Sequence, residues 1–463
     1  MATEKKLPVP GTNKMGTMPV GRLLVNMATP IIIAMLVQAL YNVVDSVYVS
    51  KISENAVTAL SLAFPVQNLL IGFAVGIGVG VNALLSKSLG EGDREQANRA
   101  AGNGMVLALI AAGLFLIFGL VGAGPYFRMQ SDVTETVQGG TAYTAICCIF
   151  SLGIFVEVLG ERLLQGSGRT IYTLVTQGTG AVVNIILDPI FIFGWGPVPE
   201  MGIAGAAVAT IIGQWIAALL AVFFNLKFNP DVQFSLPCFK LRKEVVIPIL
   251  TVGIPSIVMN SIGSVMNFGM NQILLGFKHL HGETPAGVFG IYFKLQSFFF
   301  MPLFGLNGAT ISIIAYNYGA RKPERIIKTQ KLALGSALAM MLTGFAAFQL
   351  VPDLLLSMFN PTDAFLEIGR ACLRTISWSF PLAAICISVG SCFQALGNGI
   401  YMTIVSLARQ MFVLLPVAYL MSLSGNVNLV WLAYPIAEIA SSSLTVFFFL
   451  RIYRQKIKPL FEN

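Results

Sequence analysis

Apolar runs long enough to cross a bilayer recur along the whole chain, and no other feature constrains its fold as tightly. Twelve stretches of at least ~18 to 20 mostly uncharged residues lie near 23–49, 57–86, 100–122, 142–165, 170–194, 202–225, 246–277, 286–316, 328–350, 367–394, 400–423 and 427–450. Hydrocarbon offers no water to unpaired backbone groups, so spanning runs of this length form helices. Barrel strands would show shorter segments of alternating polarity. The composition agrees: the 463 residues are 56% hydrophobic and 11% charged, where a soluble globular protein carries about 25% charged residues. The expected class is an all-α integral membrane protein with twelve transmembrane helices.

The formal charge of +8 does not point to nucleic acid, because Lys and Arg gather in alternate loops, which instead sets orientation. With the N-terminus inside, the inner segments hold Lys5, Lys6, Lys14 and Arg22, then pairs and clusters such as Arg162 and Arg169, Arg321, Lys322 and Arg325, and finally Arg451, Arg454, Lys456 and Lys458. The outer loops hold few, among them Lys51, Arg128 and Lys278. Both termini are expected to be cytoplasmic, in a multi-pass protein of the cell (inner or plasma) membrane. Residues 1–22 are polar and rich in Gly and Pro, without the short apolar region and cleavage site of a signal peptide. Cys147, Cys148, Cys238, Cys372, Cys386 and Cys392 lie mostly within spans, and none forms a Cys-x-x-Cys pair with a matching His. Neither disulfides nor zinc are expected. His279 and His281 share the loop after the seventh span, where a solvated loop is the simpler reading than a metal site.

The second half repeats the first at an offset of about 229. Gln67, Gly76 and Gly90 meet Gln296, Gly305 and Gly319, while Gln165, Gly168, Ile171 and Tyr172 meet Gln394, Gly397, Ile400 and Tyr401. In the first span of each half the offset is about 225, pairing Pro30 with Pro255 and Asn42 with Asn267. The chain divides into an inner tail (1–22), an N-terminal lobe (23–226), a polar linker (227–245), a C-terminal lobe (246–450) and a second inner tail (451–463). An even number of spans per half makes this a parallel repeat about the membrane normal, an architecture of carriers with a binding site at the repeat interface. Prolines within spans (Pro30, Pro65, Pro189, Pro255) mark bends or openings, and Gly72, Gly76, Gly78 and Gly80 allow close helix approach.

Polar residues inside the fifth span narrow the function. Asn184 and Asp188, four residues apart, share a helix face, and Pro189 withholds the next backbone donor. A carboxylate inside a membrane is a functional-site candidate by default. At 1.5 Å per residue, Asp188 stands roughly 27 Å and Asp45 roughly 33 Å above the inner ends of their spans, and Thr210 lies ~12 Å below the outer surface. Asp45, Asn184, Asp188 and Thr210 can therefore meet at one level of the N-terminal lobe. Two carboxylates sharing a pocket require a cation: a proton, or a sodium ion held by hard oxygens. The repeat is an internal control, since Met270, Val413 and Val417 stand where the copy would carry Asp45, Asn184 and Asp188. No protein metal site beyond this Na+ candidate is expected, and no cofactor beyond Na+ or H+ as the coupling ion.

The remaining membrane charges are Lys294, Arg409 and Glu438 in the C-terminal lobe and Glu157 and Glu161 in the fourth span. A pairing of Lys294 or Arg409 with Glu438 is the expected role of the first three. Glu161, beside Arg162 near the inner end, reads as an ion-pair or headgroup residue, while Glu157 is deeper. Asn42, Gln67, Glu157, Asn267 and Lys294 are candidate substrate-cavity residues. The chain offers no Ser/His/Asp set, no metal-ligating histidine pattern and no Walker loop, so an enzyme is not expected.

Over nearly its whole length the chain resembles the multidrug and toxic compound extrusion (MATE) family, in its bacterial drug-efflux branch. The resemblance is carried by Tyr-Asn-Val-Val-Asp45, by Asn184-Ile-Ile-Leu-Asp188-Pro-Ile-Phe-Ile-Phe-Gly and by Gly202-Ile-Ala-Gly-Ala-Ala-Val-Ala-Thr210. It implies twelve transmembrane helices in two pseudo-symmetric six-helix bundles, acting by alternating access to export amphipathic, often cationic drugs or metabolites in exchange for Na+ or H+. It further implies a cation site at Asp45, Asn184, Asp188 and Thr210. Some members place an acid in the seventh span, where this chain has Asn260, Asn267 and Asn271. The expected partners are small molecules and the lipid bilayer, with no nucleic acid and a monomeric state. The alternative within the superfamily is a flippase of a lipid-linked or polysaccharide precursor, which needs basic residues lining the central cavity.

Overall fold

The computed structural model describes residues 13–277, 284–359 and 362–462, apart from the side chains at 42, 46, 50 and 54. His279 and His281 lie outside the described residues, as does the side chain of Asn42. The first half contains α1 (Val20–Ser50), α2 (Glu54–Glu91), α3 (Arg94–Arg128), α4 (Thr134–Ile149), α5 (Leu152–Gly166), α6 (Thr170–Phe193) and α7 (Gly202–Phe228). The second half contains α8 (Lys243–Leu275), α9 (Thr284–Gly319), α10 (Pro323–Leu350), α11 (Asp363–Ser377), α12 (Phe380–Ala395), α13 (Gly399–Ser422) and α14 (Val427–Glu462). Ten of these are long and apolar enough to span alone, and α4–α5 and α11–α12 are bent spans with breaks of 48° and 45°. With each bent pair taken as one span, the described residues hold up to twelve, matching the number of apolar runs.

The breaks fall at equivalent places of the repeat. Pro381, at the start of α12, has no N–H to continue the preceding helix, whereas the break before Leu152 carries no proline. Conversely, α6 runs unbroken through Pro189. The opening expected there is absent, because the proline sits in the last turn, where its missing donor costs one bond and the helix ends four residues later. Half of the spans outrun their apolar windows by a turn or more. For example, α2 continues to Glu91 before Gly92 (φ 78°) ends it, and Asp93 then caps α3 by accepting from the Gln96 N–H at 2.9 Å.

The halves meet through glycine. A Cβ at Gly76 of α2 would stand 2.7 Å from the Gly253 carbonyl of α8, and one at Gly305 of α9 would stand 2.8 Å from Ile32 Cα of α1. Nearer the face carrying both termini, a Cβ at Gly90 would collide with the Tyr316 carbonyl and one at Gly319 with the Lys87 carbonyl. Gly76 and Gly305, and Gly90 and Gly319, are repeat mates, so both crossings are built twice. The first helix of each half thereby packs across the boundary: Leu23, Met27 and Ile31 of α1 join the core of the second half, and Val245 and Ile249 of α8 join a core of the first.

The linker is anchored. Asn103 Nδ2 donates to the Cys238 and Lys240 carbonyls (2.8 and 3.1 Å), Arg242 N donates to Asn103 Oδ1 (3.0 Å), and Arg169 pairs with Asp231 at 3.1 Å. The segment before α1 also bridges the halves. Arg325 donates to the Met15 and Met18 carbonyls (2.9 and 2.7 Å), Lys322 donates to the Gly16 carbonyl (2.9 Å), and Asn13 donates to the Ser167 carbonyl (3.2 Å). The six cysteines are buried and free.

Candidate functional site

The site begins with a close helix pair. Gly180 of α6 and Gly213 of α7 face each other so tightly that a Cβ at Gly213 would lie 2.8 Å from the Gly180 carbonyl and 3.3 Å from Asn184 Cβ. This approach brings Asn184, one turn along α6, against Thr210 of α7. In the amide orientation that satisfies both neighbours, Asn184 Nδ2 donates to Asp188 Oδ2 (3.0 Å), and its oxygen accepts from Thr210 Oγ1 (3.2 Å) and the Thr210 N–H (3.1 Å). Asp188, Asn184 and Thr210 are 0%, 2% and 7% exposed.

Asp45 completes the level from α1. It shares a cavity wall with Asn184 and Thr210, and among the described residues its Oδ1 is buried without a hydrogen-bond donor. Tyr41, one turn earlier on α1, places its hydroxyl against Thr210. All four expected cation-site residues are thus gathered in the first half, and a buried carboxylate oxygen with no donor is a group that requires a ligand or a proton. Oxygen ligands of this kind suit a hard monovalent cation or a proton.

A cavity of about 500 Å³ opens beside this level, its wall including Asp45, Asn184, Thr210, Gln67, Glu157 and Glu161. Gln67 donates to the Tyr143 hydroxyl at 2.6 Å. One expectation changes here. Glu161 is not a headgroup residue or an ion-pair member: it is 3% exposed and accepts from Thr176 Oγ1 (2.7 Å) and Gln177 Nε2 (2.9 Å). The helix phase turns it inward, which a count along the chain does not register. Asn267 of α8 and Lys294 of α9 are not on this cavity wall, and Lys294 is exposed, because the cavity belongs almost wholly to the first half, with Met301 of α9 the contribution from the second. Tyr41 and Arg162 also line it, and sequence reasoning missed both. The tyrosine could have been found one turn from Asp45, and the arginine beside an inward glutamate.

In the second half, Arg409 and Glu438 form the expected ion pair at 2.9 Å, with Ser441 Oγ donating to the other carboxylate oxygen at 3.0 Å. Lys294 takes no part in it.

Comparison with known proteins agrees with this architecture. A "FAD transporter" of Shewanella oneidensis is 23% identical over 421 residues, covering 91% of this chain and 92% of the relative. "Multidrug export protein MepA" of Staphylococcus saprophyticus is 24% identical over 414 residues, covering 88% and 89%. The outward-facing structure of a multidrug resistance MATE family transporter of the MOP superfamily shares the fold, with a TM-score of 0.89 at 24% identity over 98% of this chain and 99% of that one. Residues 30–190 and 255–420 match the MatE family model. Two six-helix halves and the family match together establish that this chain belongs to the MatE family and is a multi-pass membrane transporter, not an enzyme.

Proposed function

We propose that the protein is a secondary-active exporter of amphipathic, often cationic compounds, driven by Na+ or H+ bound at Asp45, Asn184, Asp188 and Thr210. The observation that carries this reading is the buried Asp45 oxygen, without a donor among the described residues, on one cavity wall with Asn184 and Thr210 of the linked Asn184–Asp188–Thr210 set. Cation and substrate sites that share a wall can exclude or reshape one another, and only a ligand with different affinity for two states shifts their balance. α1 is placed to transmit the change, since it carries Asp45 in one half and packs its other end into the second. In this reading both termini are cytoplasmic, the lobes are the two repeats joined by the 227–245 linker, and the protein works as a monomer in the cell membrane. Accumulation of ethidium by everted vesicles should survive ATP depletion and stop when the ion gradient is collapsed; accumulation that follows ATP instead would remove the reading.

The flippase reading has less support: of the basic residues expected to serve it, Arg409 is held by Glu438 and Lys294 is off the cavity wall, which leaves Arg162 as the basic group on that wall among the described residues. A second cargo reading, a nucleotide-type anion, is suggested by the name of the Shewanella relative and favoured by Arg162 in the cavity.

A further inference from the structure

Glu157, Glu161 and Arg162 of α5 line the cavity and take no part in the cation site. Glu161 uses one lone pair on each oxygen to accept from Thr176 and Gln177. Arg162 donates through Nη1 to Gln165 Oε1 at 2.9 Å. Among the described residues, neither glutamate has a basic group within ion-pair distance, nor does Arg162 have an acid. Opposite charges side by side in one cavity would ordinarily close on each other, because an uncompensated buried charge is strongly unfavourable.

Their separation is built in. Neighbouring positions point about 100° apart on a helix, and each side chain is then held by a neutral partner of its own. The Arg162 stem passes over Gly78 of α2, where a Cβ would stand 2.7 Å from its Cγ, and its guanidinium reaches Gly308 of α9, where a Cβ would stand 3.4 Å from Nη1. Two glycines keep that path clear. Gln177 spends its amide on Glu161 and leaves its own Oε1 buried without a donor. The result is an acceptor wall of Glu157, Glu161 and the Gln177 oxygen beside an arginine fork whose remaining N–H groups have, among the described residues, no carboxylate within ion-pair distance. A simple lipophilic cation satisfies the wall but is repelled by the arginine. A molecule carrying both a carboxylate and N–H donors satisfies both.

We propose that this end of the cavity is a bipolar subsite for amphoteric substrates, with the substrate carboxylate on Arg162 and its N–H donors on Glu157 and Glu161. The inference rests on the exporter reading only for its physiological use, because binding at equilibrium needs no gradient. The test is fluorescence-anisotropy titration of the full-length protein in detergent with two dyes that differ by one group. Rhodamine 110 has a free carboxylate and amino N–H donors, and rhodamine 123 is its methyl ester.

The wild-type protein should bind the acid about 10-fold more tightly than the ester, the scale of one charge-assisted hydrogen-bonded contact. Arg162→Gln should abolish that preference, Arg162→Lys should keep part of it, and Glu161→Gln should weaken both dyes. Equal binding of acid and ester by the wild type overturns the proposal without recourse to any variant, as does a preference that persists in Arg162→Gln. Loss of cation-driven transport with the acid preference intact would count against the coupling site alone.

Discussion

At the scale of single residues, the structure separates charges that stabilise from charges that work. Arg409 and Glu438 answer each other, with side chains 23% and 10% exposed. Truncating one partner leaves the other buried and alone, which costs about 3 to 5 kcal/mol, whereas replacing both by apolar groups of similar volume is often neutral. Arg409→Ala should therefore lower the thermal unfolding midpoint in detergent far more than the double change Arg409→Met, Glu438→Met; equal losses would mean that the pair is not acting as a unit. Asp45 has no such answer. That Asp45, Asn184, Asp188 and Thr210 all belong to one half, at one level, was legible in the sequence because helical spacing and depth both have simple arithmetic; that they bind a cation is the proposal. Glu161, Arg162 and Tyr41 were not legible, because depth counting fixes a level and leaves the azimuth open. Asn267, the repeat mate of Asn42, and Lys294 lie off the wall of the first-half cavity, since an offset that matches positions does not say which cavity they face.

At the scale of elements, the site depends on how closely α6 and α7 approach. Gly213→Ala forces a methyl group against the Gly180 carbonyl and Asn184 Cβ. Overpacking of this kind costs about 1 to 3 kcal/mol, and here it also pulls Asn184 from Thr210. The expected outcome is a lower midpoint together with weaker cation dependence of transport; a Gly213→Ala protein with unchanged cation dependence would show that the contact is dispensable. The apolar runs predicted the helices well but not their ends, since capping by Gly92 and Asp93 lies outside any hydropathy window. The α4–α5 break carried no proline to announce it, while Pro189 announced a break that its position in the last turn makes unnecessary.

The segment before α1 adds a constraint of its own. Arg325→Ala removes the donors to the Met15 and Met18 carbonyls and to Asn317 Oδ1. It should raise the labelling rate of a cysteine introduced at the half-buried Met18 by about 10-fold or more, the scale of at least one lost charge-assisted bond. An unchanged rate would mean that the remaining contacts hold the strap alone.

At the scale of the whole molecule, duplication supplied a frame and divergence supplied the function. Paired glycine crossings, Gly76 with Gly305 and Gly90 with Gly319, preserve the interface between halves. The acid site exists on one side only, with Met270, Val413 and Val417 in the copy. An offset reveals which residues correspond and says nothing of what they touch, so the packing of α1 and α8 across the boundary could not be read from the repeat. On the proposed reading that exchange matters, because a helix anchored in one half and bearing Asp45 in the other would couple ion occupancy to the relation between the halves.

The central claim is that a cation at Asp45 and Asp188 drives export. It is tested most directly in proteoliposomes with a sodium gradient and a proton gradient imposed one at a time, comparing the wild type with Asp188→Asn. Dye accumulation should be driven by at least one gradient in the wild type and by neither in the variant. Gradient-driven accumulation that continues undiminished in Asp188→Asn would contradict the claim.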